Sequence, residues 1–303
     1  MTKKMLTWVM ACSVAALAVA PAFADGKKGT AVIKGKVVLD PSVTAPKVKP
    51  LAMKADATCE KENPKAVPDQ SLIVYASEGN AVPYVFIQIT KGIDDKYDAP
   101  ETPVVLDQQG CVYHPHVMGM VAGQGIDIVN SDPVNHNIHS LAKKNPQFNF
   151  AQPNKDMKKE LRGKETFSKP EIVKIKCDVH GWMAAYVGVV AHPFFAVTVS
   201  HESDGGDKAK RGTFEIKDLP AGKFELEFWH ETFGVVKQEV EVKDGETKEI
   251  EVKIGGKKAL APTFREVEIT ASNTNGASTS DCCRDKSETV NCHDSKPAVD
   301  VAK

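Results

Sequence analysis

Residues 171–192 read EIVKIKCDVHGWMAAYVGVVAH. Val173, Ile175 and Cys177 alternate with Lys174 and Lys176, the period of a strand with one buried face, so the Cys177 sulfur points inward where the strand ends. The apolar run AAYVGVV that follows has the length of a second strand. Between them lies the short loop DVHGWM, with Gly181 in it. A tight loop between two strands brings a thiol, an imidazole and a thioether, those of Cys177, His180 and Met183, around one point.

Outward from this stretch the pattern stays short and alternating. The runs TAVIKGKVVLD (30–40), VPYVFIQITKG (82–92), GIDIVNSD (125–132), GTFEI (212–216) and GKFELEFWH (222–230) are rich in β-branched and aromatic residues and are bounded by Gly, Pro, Asp and Asn. That is the signature of an all-β protein. In KQEVEVKDGETKEIEVKI (237–254), Asp244-Gly245 separates two alternating runs and predicts a tight hairpin. One short polar helix is expected in PNKDMKKELRGKE (153–165), and the Pro- and Lys-rich segment 40–70 reads as a long surface loop pinned at Cys59.

The first residues combine Lys3 and Lys4, an apolar run from Met5 to Ala20 and the small-residue motif Ala22-Phe23-Ala24, which predicts a signal peptide over 1–24. Cys12 is poorly placed for a lipoprotein site, because the apolar run continues well past it. The mature chain is then expected to be exported, to the periplasm or the cell surface, where disulfides persist. Cys59 and Cys111 are the expected bridge. No later run is apolar enough to span a bilayer, and a net charge of -1 argues for neither nucleic acid nor a membrane surface as partner. Residues 265–303 lack apolar periodicity and predict a disordered tail; its Cys282, Cys283, Cys292 and His293 are too weak a pattern to assign a metal.

A further nitrogen ligand beside Cys177, His180 and Met183 would complete a His2Cys trigonal set with a weak axial Met, the geometry of a blue-copper centre. IVNSDPVNHNIHS (128–140) supplies His136, in a polar loop after a strand. Taken singly, Cys177 reads as a buried thiol and Met183 as a core filler. Zinc accepts Cys and His, but its structural sites use four N or S ligands and rarely a thioether, so Met183 favours copper.

Over residues 102–192 the chain resembles a type 1 copper cupredoxin of the amicyanin kind. The strands of YHPHVMGMVAGQGIDIVNSD, the HNIH ligand loop and the C-x2-H-x2-M loop come in that family's order. The resemblance implies a Greek-key β-sandwich and one type 1 copper held by His136, Cys177, His180 and Met183. It also implies that Asn137 helps to hold the Cys177 sulfur, and that His180 turns its ring edge to solvent as an electron port. Trp182 departs from the family; its bulk either shields the metal or forms part of a docking face. His139 reads as structural, His230 as a packed core histidine, and a second metal at His114 and His116 is not favoured.

GTFEIKDLPAGKFELEFWHETFG (212–234) resembles carboxypeptidase-regulatory-like domains, small transthyretin-like β-sandwiches, whose earlier strands match IKGKVVLD and VPYVFIQITKG. The resemblance implies a discontinuous second sandwich over 30–99 and 194–256, with the cupredoxin inserted in it. The alternative gives the early strands to an enlarged copper domain and starts the second sandwich after Pro193. No G-x-S-x-G, H-E-x-x-H, phosphate loop or dinucleotide fingerprint occurs, so a non-enzyme is expected. The leading expectation is a one-electron carrier for a redox partner such as a cytochrome c. The alternatives are copper delivery or storage, and binding at the cell envelope through the second sandwich.

Overall fold

The computed structural model describes residues 26–256; the expected signal peptide and tail, with the tail's cysteines and histidine, lie outside them. Among the described residues the fold is all-β, with sixteen strands in four sheets and one six-residue helix, α1 (Ala57–Glu62). In chain order the strands are β1 (Ala31–Leu39), β2 (Phe86–Lys91), β3 (Val104–Gln109), β4 (Val112–His114), β5 (Val117–Val121), β6 (Ile126–Asn130), β7 (His136–Ser140) and β8 (Asn149–Gln152). There follow β9 (Met157–Leu161), β10 (Glu171–Lys176), β11 (Ala184–Val190), β12 (Phe195–Val197), β13 (Thr213–Leu219), β14 (Gly222–His230), β15 (Gly234–Val242) and β16 (Thr247–Ile254). No helix among them is long and apolar enough to cross a membrane.

Strands β3 to β11 form two sheets, ordered β5-β11-β10-β7-β8 and β4-β3-β6-β9. Leu106, Ile126, Ile128, Ile138, Val173, Ile175 and Val187 pack between them. Cys177 and Met183 close one end of this core. The other sandwich has the sheets β13-β1-β16 and β12-β2-β14-β15, around a core that includes Ile33, Val37, Ile87, Phe214, Leu226 and Phe228. Here β1 runs antiparallel to β13 and parallel to β16, so strands from both sides of residues 104–190 share one pair of sheets.

The two sandwiches meet on β11. Its Ala185, Val187 and Val189 face the core of the first, and its Tyr186 and Val190 join a separate cluster with Tyr84, Phe86 and Trp229 of the second. Burial on both faces explains why 184–190 reads as an unbroken apolar run rather than an alternating one. Gly188 sits opposite Gly119 of β5, and the pair makes a flat seat for Phe86 and Phe195. A Cβ on Gly188 would lie 2.2 Å from the Phe86 ring. Beside this seat the His116 ring, 5% exposed, donates from Nδ1 to the Ala184 carbonyl at 3.1 Å and pairs through Nε2 with the Glu231 carboxylate. The pair links the start of β11 to the turn between β14 and β15.

Four local expectations are corrected. Residues 153–165 form strand β9 and a 3-10 turn at Gly163–Glu165, not a helix. Strand β9 is a sheet edge with Met157 to Glu160 all exposed, and exposure on both faces hides the period of two. Asp244-Gly245 does turn the chain, with Gly245 at φ +72°, but β15 and β16 lie in different sheets, so it is no hairpin. The segment 40–70 does not merely cross the surface: its α1 packs inward, with Cys59 fully buried. His136 opens strand β7 instead of standing in a loop, paired with Gln152 of β8.

Candidate metal centre

Strand pairing places the ligands before any metal is considered. Strands β10 and β11 pair in register from Glu171↔Val189 to Lys176↔Ala184, so the residues between them form a closed loop. Cys177 N–H donates to the Met183 carbonyl at 3.2 Å, and Met183 N–H to the His180 carbonyl at 2.9 Å. The loop folds back on the sulfur: His180 N–H donates to Cys177 Sγ at 3.3 Å. Asn137 N–H, next to His136 on β7, donates to the same sulfur at 3.4 Å. Met183 is 1% exposed and packs in the same core cluster as Cys177.

The nitrogens converge from two sides. His136 Nδ1 lies 3.1 Å from His180 Nδ1, and Cys177 Sγ 3.8 Å from His180 Nδ1; the three ligand atoms lie within 4.8 Å of one another. His136 Nε2–H donates to Asp132 Oδ2 at 2.8 Å, which fixes the tautomer and leaves Nδ1 as the free lone pair. Asp132 is itself held, accepting from Gly110 N–H and Cys111 N–H at 2.7 Å each. Gly110 and Cys111 both have positive φ, so the β3–β4 turn aims two successive N–H groups at this carboxylate.

Burial disfavours charge on His136, but its bonds to Asp132 and Cys177 outweigh burial and raise its pKa. Burial likewise opposes the Cys177 thiolate, yet the His136 imidazole and the N–H groups of His180, Asn137 and Val179 hold its pKa below the usual thiol range. His180 goes the other way, lowered by burial and then by its proximity to His136. The sulfur thus faces two ring nitrogens, and a soft-to-borderline metal that displaces their protons would take a thiolate and two imidazoles there.

The spacing fits such a metal. With metal–nitrogen bonds of about 2.0–2.1 Å and a metal–sulfur bond of about 2.3 Å, the observed gaps subtend roughly 100° and 120°, inside the range of trigonal and tetrahedral sites. A buried thioether beside two imidazoles and one thiolate suits copper better than structural zinc.

His180 departs from expectation. It is 2% exposed and turns no edge to solvent. Its Nε2 faces Asp56 Oδ2 at 3.6 Å and Cys59 Sγ at 3.7 Å, under a cover built from α1. Cys59 and Cys111 are disulfide-bonded, so both sulfurs lie against the outer edges of the histidines, and Cys177 is the free thiol among the described residues. Trp182 turns inward, 5.1 Å from the His180 ring, and its Nε1–H donates to the Cys111 carbonyl at 3.0 Å.

Asn137 acts through its backbone on the sulfur, while its side-chain oxygen accepts from Asp178 N–H at 3.1 Å and braces the ligand loop against β7. His139 pairs with Asp178 at 3.0 Å, and His230 is 1% exposed and stacked on Phe233. His114 and His116 face Glu202 and Glu231 separately and belong to none of the converging donor groups among the described residues. Sequence reasoning missed Asp132, Asp56 and Tyr113, whose hydroxyl donates to the Asn137 carbonyl at 2.5 Å. Asp132 stands four residues before His136, and that i to i+4 spacing was the available signal.

No family model matches the sequence, and no curated protein matches it. Solved structures similar to part of the chain include a cupredoxin, amicyanin variants and a copper-containing enzyme. A purple cupredoxin from Nitrosopumilus maritimus is 21% identical with a TM-score of 0.24, covering 29% of this chain and 99% of its own. A point variant of amicyanin in its Cu(I) form is 17% identical with a TM-score of 0.26, covering 34% of this chain and 98% of its own. A copper-containing nitrite reductase from Thermus scotoductus SA-01 is 21% identical with a TM-score of 0.25, covering 33% of this chain and 25% of its own.

Proposed function

We propose that this chain is an exported type 1 copper protein that carries single electrons. The observation behind the reading is the convergence of His136 Nδ1, Cys177 Sγ and His180 Nδ1 within 4.8 Å, with Met183 buried beside them. Bound copper would supply a one-electron Cu(I)/Cu(II) couple. The protein's part is to hold the donors still: Asp132 fixes the His136 ring, two N–H groups fix the sulfur, and the β10–β11 register fixes the loop. Donors that do not move between oxidation states exchange electrons without losing the metal.

The reading is non-enzymatic, with a small soluble redox protein such as a cytochrome c as partner and the second sandwich as frame or cell-envelope contact. The test is the visible spectrum of the copper-reconstituted mature protein. An intense charge-transfer band is expected, lost in Cys177→Ser; a band that survives this substitution sinks the type 1 assignment. Copper content after repeated redox cycles beside a strong copper acceptor separates carrier from delivery protein. Retention supports the carrier, and rapid emptying supports delivery.

A further inference from the structure

The Gly110–Cys111 turn holds both histidines at once. Its N–H groups fix Asp132, which orients His136; its Cys111 carbonyl takes the Trp182 N–H, which sets a ring against His180. The same turn is tied to α1 twice. One tie is the Cys59–Cys111 disulfide. The other is Asn63, whose Nδ2 donates to the Cys59 carbonyl at 2.9 Å and to the Gly110 carbonyl at 2.8 Å. Asp56 caps α1 with Oδ1, accepting from Thr58 and Cys59 N–H, and turns Oδ2 toward His180 Nε2. Met53, Cys59, Cys111 and Val112 fill the space beneath, with Trp182 packed against them.

We propose that Asp56, Trp182 and the Cys59–Cys111 clasp form a roof that positions His180 and sets the rate at which the protein exchanges its metal. The roof shuts the imidazole edge that an uncovered ligand loop would expose. Exchange at the histidine end requires α1 to lift from the 110–111 turn, and the disulfide forbids that motion while intact. Trp182 is a positioning residue in this account, acting on the metal through His180.

The inference rests on the copper reading only for the identity of the metal, so the test has two arms. In the first, copper-loaded, ascorbate-reduced full-length protein is mixed with bathocuproine disulfonate, and release is followed by the colour of the chelate. The double variant Cys59→Ser/Cys111→Ser and the variant Trp182→Ala should release copper about ten to a hundred times faster than wild type. Trp182→Phe, which keeps a ring but loses the N–H, should fall between.

In the second arm, metal-free protein is treated with diethyl pyrocarbonate and mapped by peptide mass. His180 should be protected in wild type and readily modified in the double variant. Equal modification of His180 in the two proteins overturns the roof. Should the double variant not fold, Trp182→Phe carries the test, and unchanged release with unchanged labelling overturns it. Clasp-dependent protection of His180 in a protein that takes up no copper would remove the electron-carrier reading and leave the roof standing.

Discussion

The two sandwiches are built from the same strand grammar and differ in what their cores contain. The apolar core of the frame sandwich, β1, β2 and β12 to β16, is built of Ala, Val, Ile, Leu and Phe, and its buried polar residues, such as His192, Thr198 and His230, do not converge on one point. The core of the metal sandwich adds Met118, Met120, Cys177 and Met183, and at its end lie the buried His136, His180 and Asp132. Buried polar groups are stabilised only when each finds a partner, so one core tolerates error locally while the other depends on a linked set of contacts. The difference separates scaffold from chemistry more clearly than any motif does.

The largest effect should come from the joint between the two. Glu231→Ala removes the carboxylate partner of the buried His116 Nε2 and should cost about 3–5 kcal/mol, measured by denaturant unfolding. His116 faces Glu231, the Ala184 carbonyl and the rings of Tyr84 and Tyr186, with Glu202 nearby. Burial lowers its pKa, but Glu231 outweighs burial and raises it above 6.5; burial raises the Glu231 pKa, but His116 outweighs that and holds it below 4.5. The His116 contribution is full below pH 6.5 and fades as pH rises through the folded pKa; the Glu231 contribution is full above pH 4.5 and fades as pH falls. The stability gap between wild type and Glu231→Ala should therefore be widest between those values. A gap independent of pH would show that the joint is held by packing alone.

Asp132→Ala sharpens the contrast at the metal end. It should weaken metal binding about 10- to 100-fold, read by competition with a chelator, because His136 loses the carboxylate that orients it. Phe228→Ala in the frame core should instead cost about 3–5 kcal/mol of stability with little change in metal affinity. Comparable affinity losses in the two variants would break the distinction between scaffold and site. Gly188→Ala should cost about 1–3 kcal/mol by driving a methyl into the Phe86 ring, seen as a lowered Tm. The smallest effect belongs to Val179→Ala on the ligand loop: at 53% exposure, it should shift stability by no more than about 0.5 kcal/mol and leave the visible band in place.

What the sequence showed and what it hid follow from the range of each interaction. Strands with one buried face, such as β10, declare themselves by alternation, and Cys177, His180 and Met183 sit within one loop, so their convergence is a local fact. Strand β9 carries no such signal because water faces both its sides. The cover over His180 was illegible for another reason. Asp56 reaches it from far back in the chain, and Trp182, a loop neighbour of His180, is held over it by the Cys111 carbonyl across a separation of 71 residues; nothing in a Pro- and Lys-rich segment marks it as a lid. Asp132 has only its place four residues before His136 to mark it, because the Gly110 and Cys111 N–H groups that hold it lie 22 and 21 residues away in the chain.

The parallel pairing of β1 with β16 bears on the order in which the chain folds. Val32 pairs with Thr247 and Leu39 with Ile254, so one sheet of the frame joins opposite ends of the described chain. Contacts of such separation form late, since the loop between them must lose its freedom first. The hairpin of β10 and β11 needs only its own short loop. The ligand loop should thus be assembled while the frame is still open, and pulsed hydrogen exchange during refolding should protect Ile175 and Ala185 before Val32 and Asp40, whose N–H groups donate to the Glu246 and Ile254 carbonyls at 2.9 Å each. If the β1–β16 amides are protected first, the frame is the nucleus and the metal end is moulded onto it.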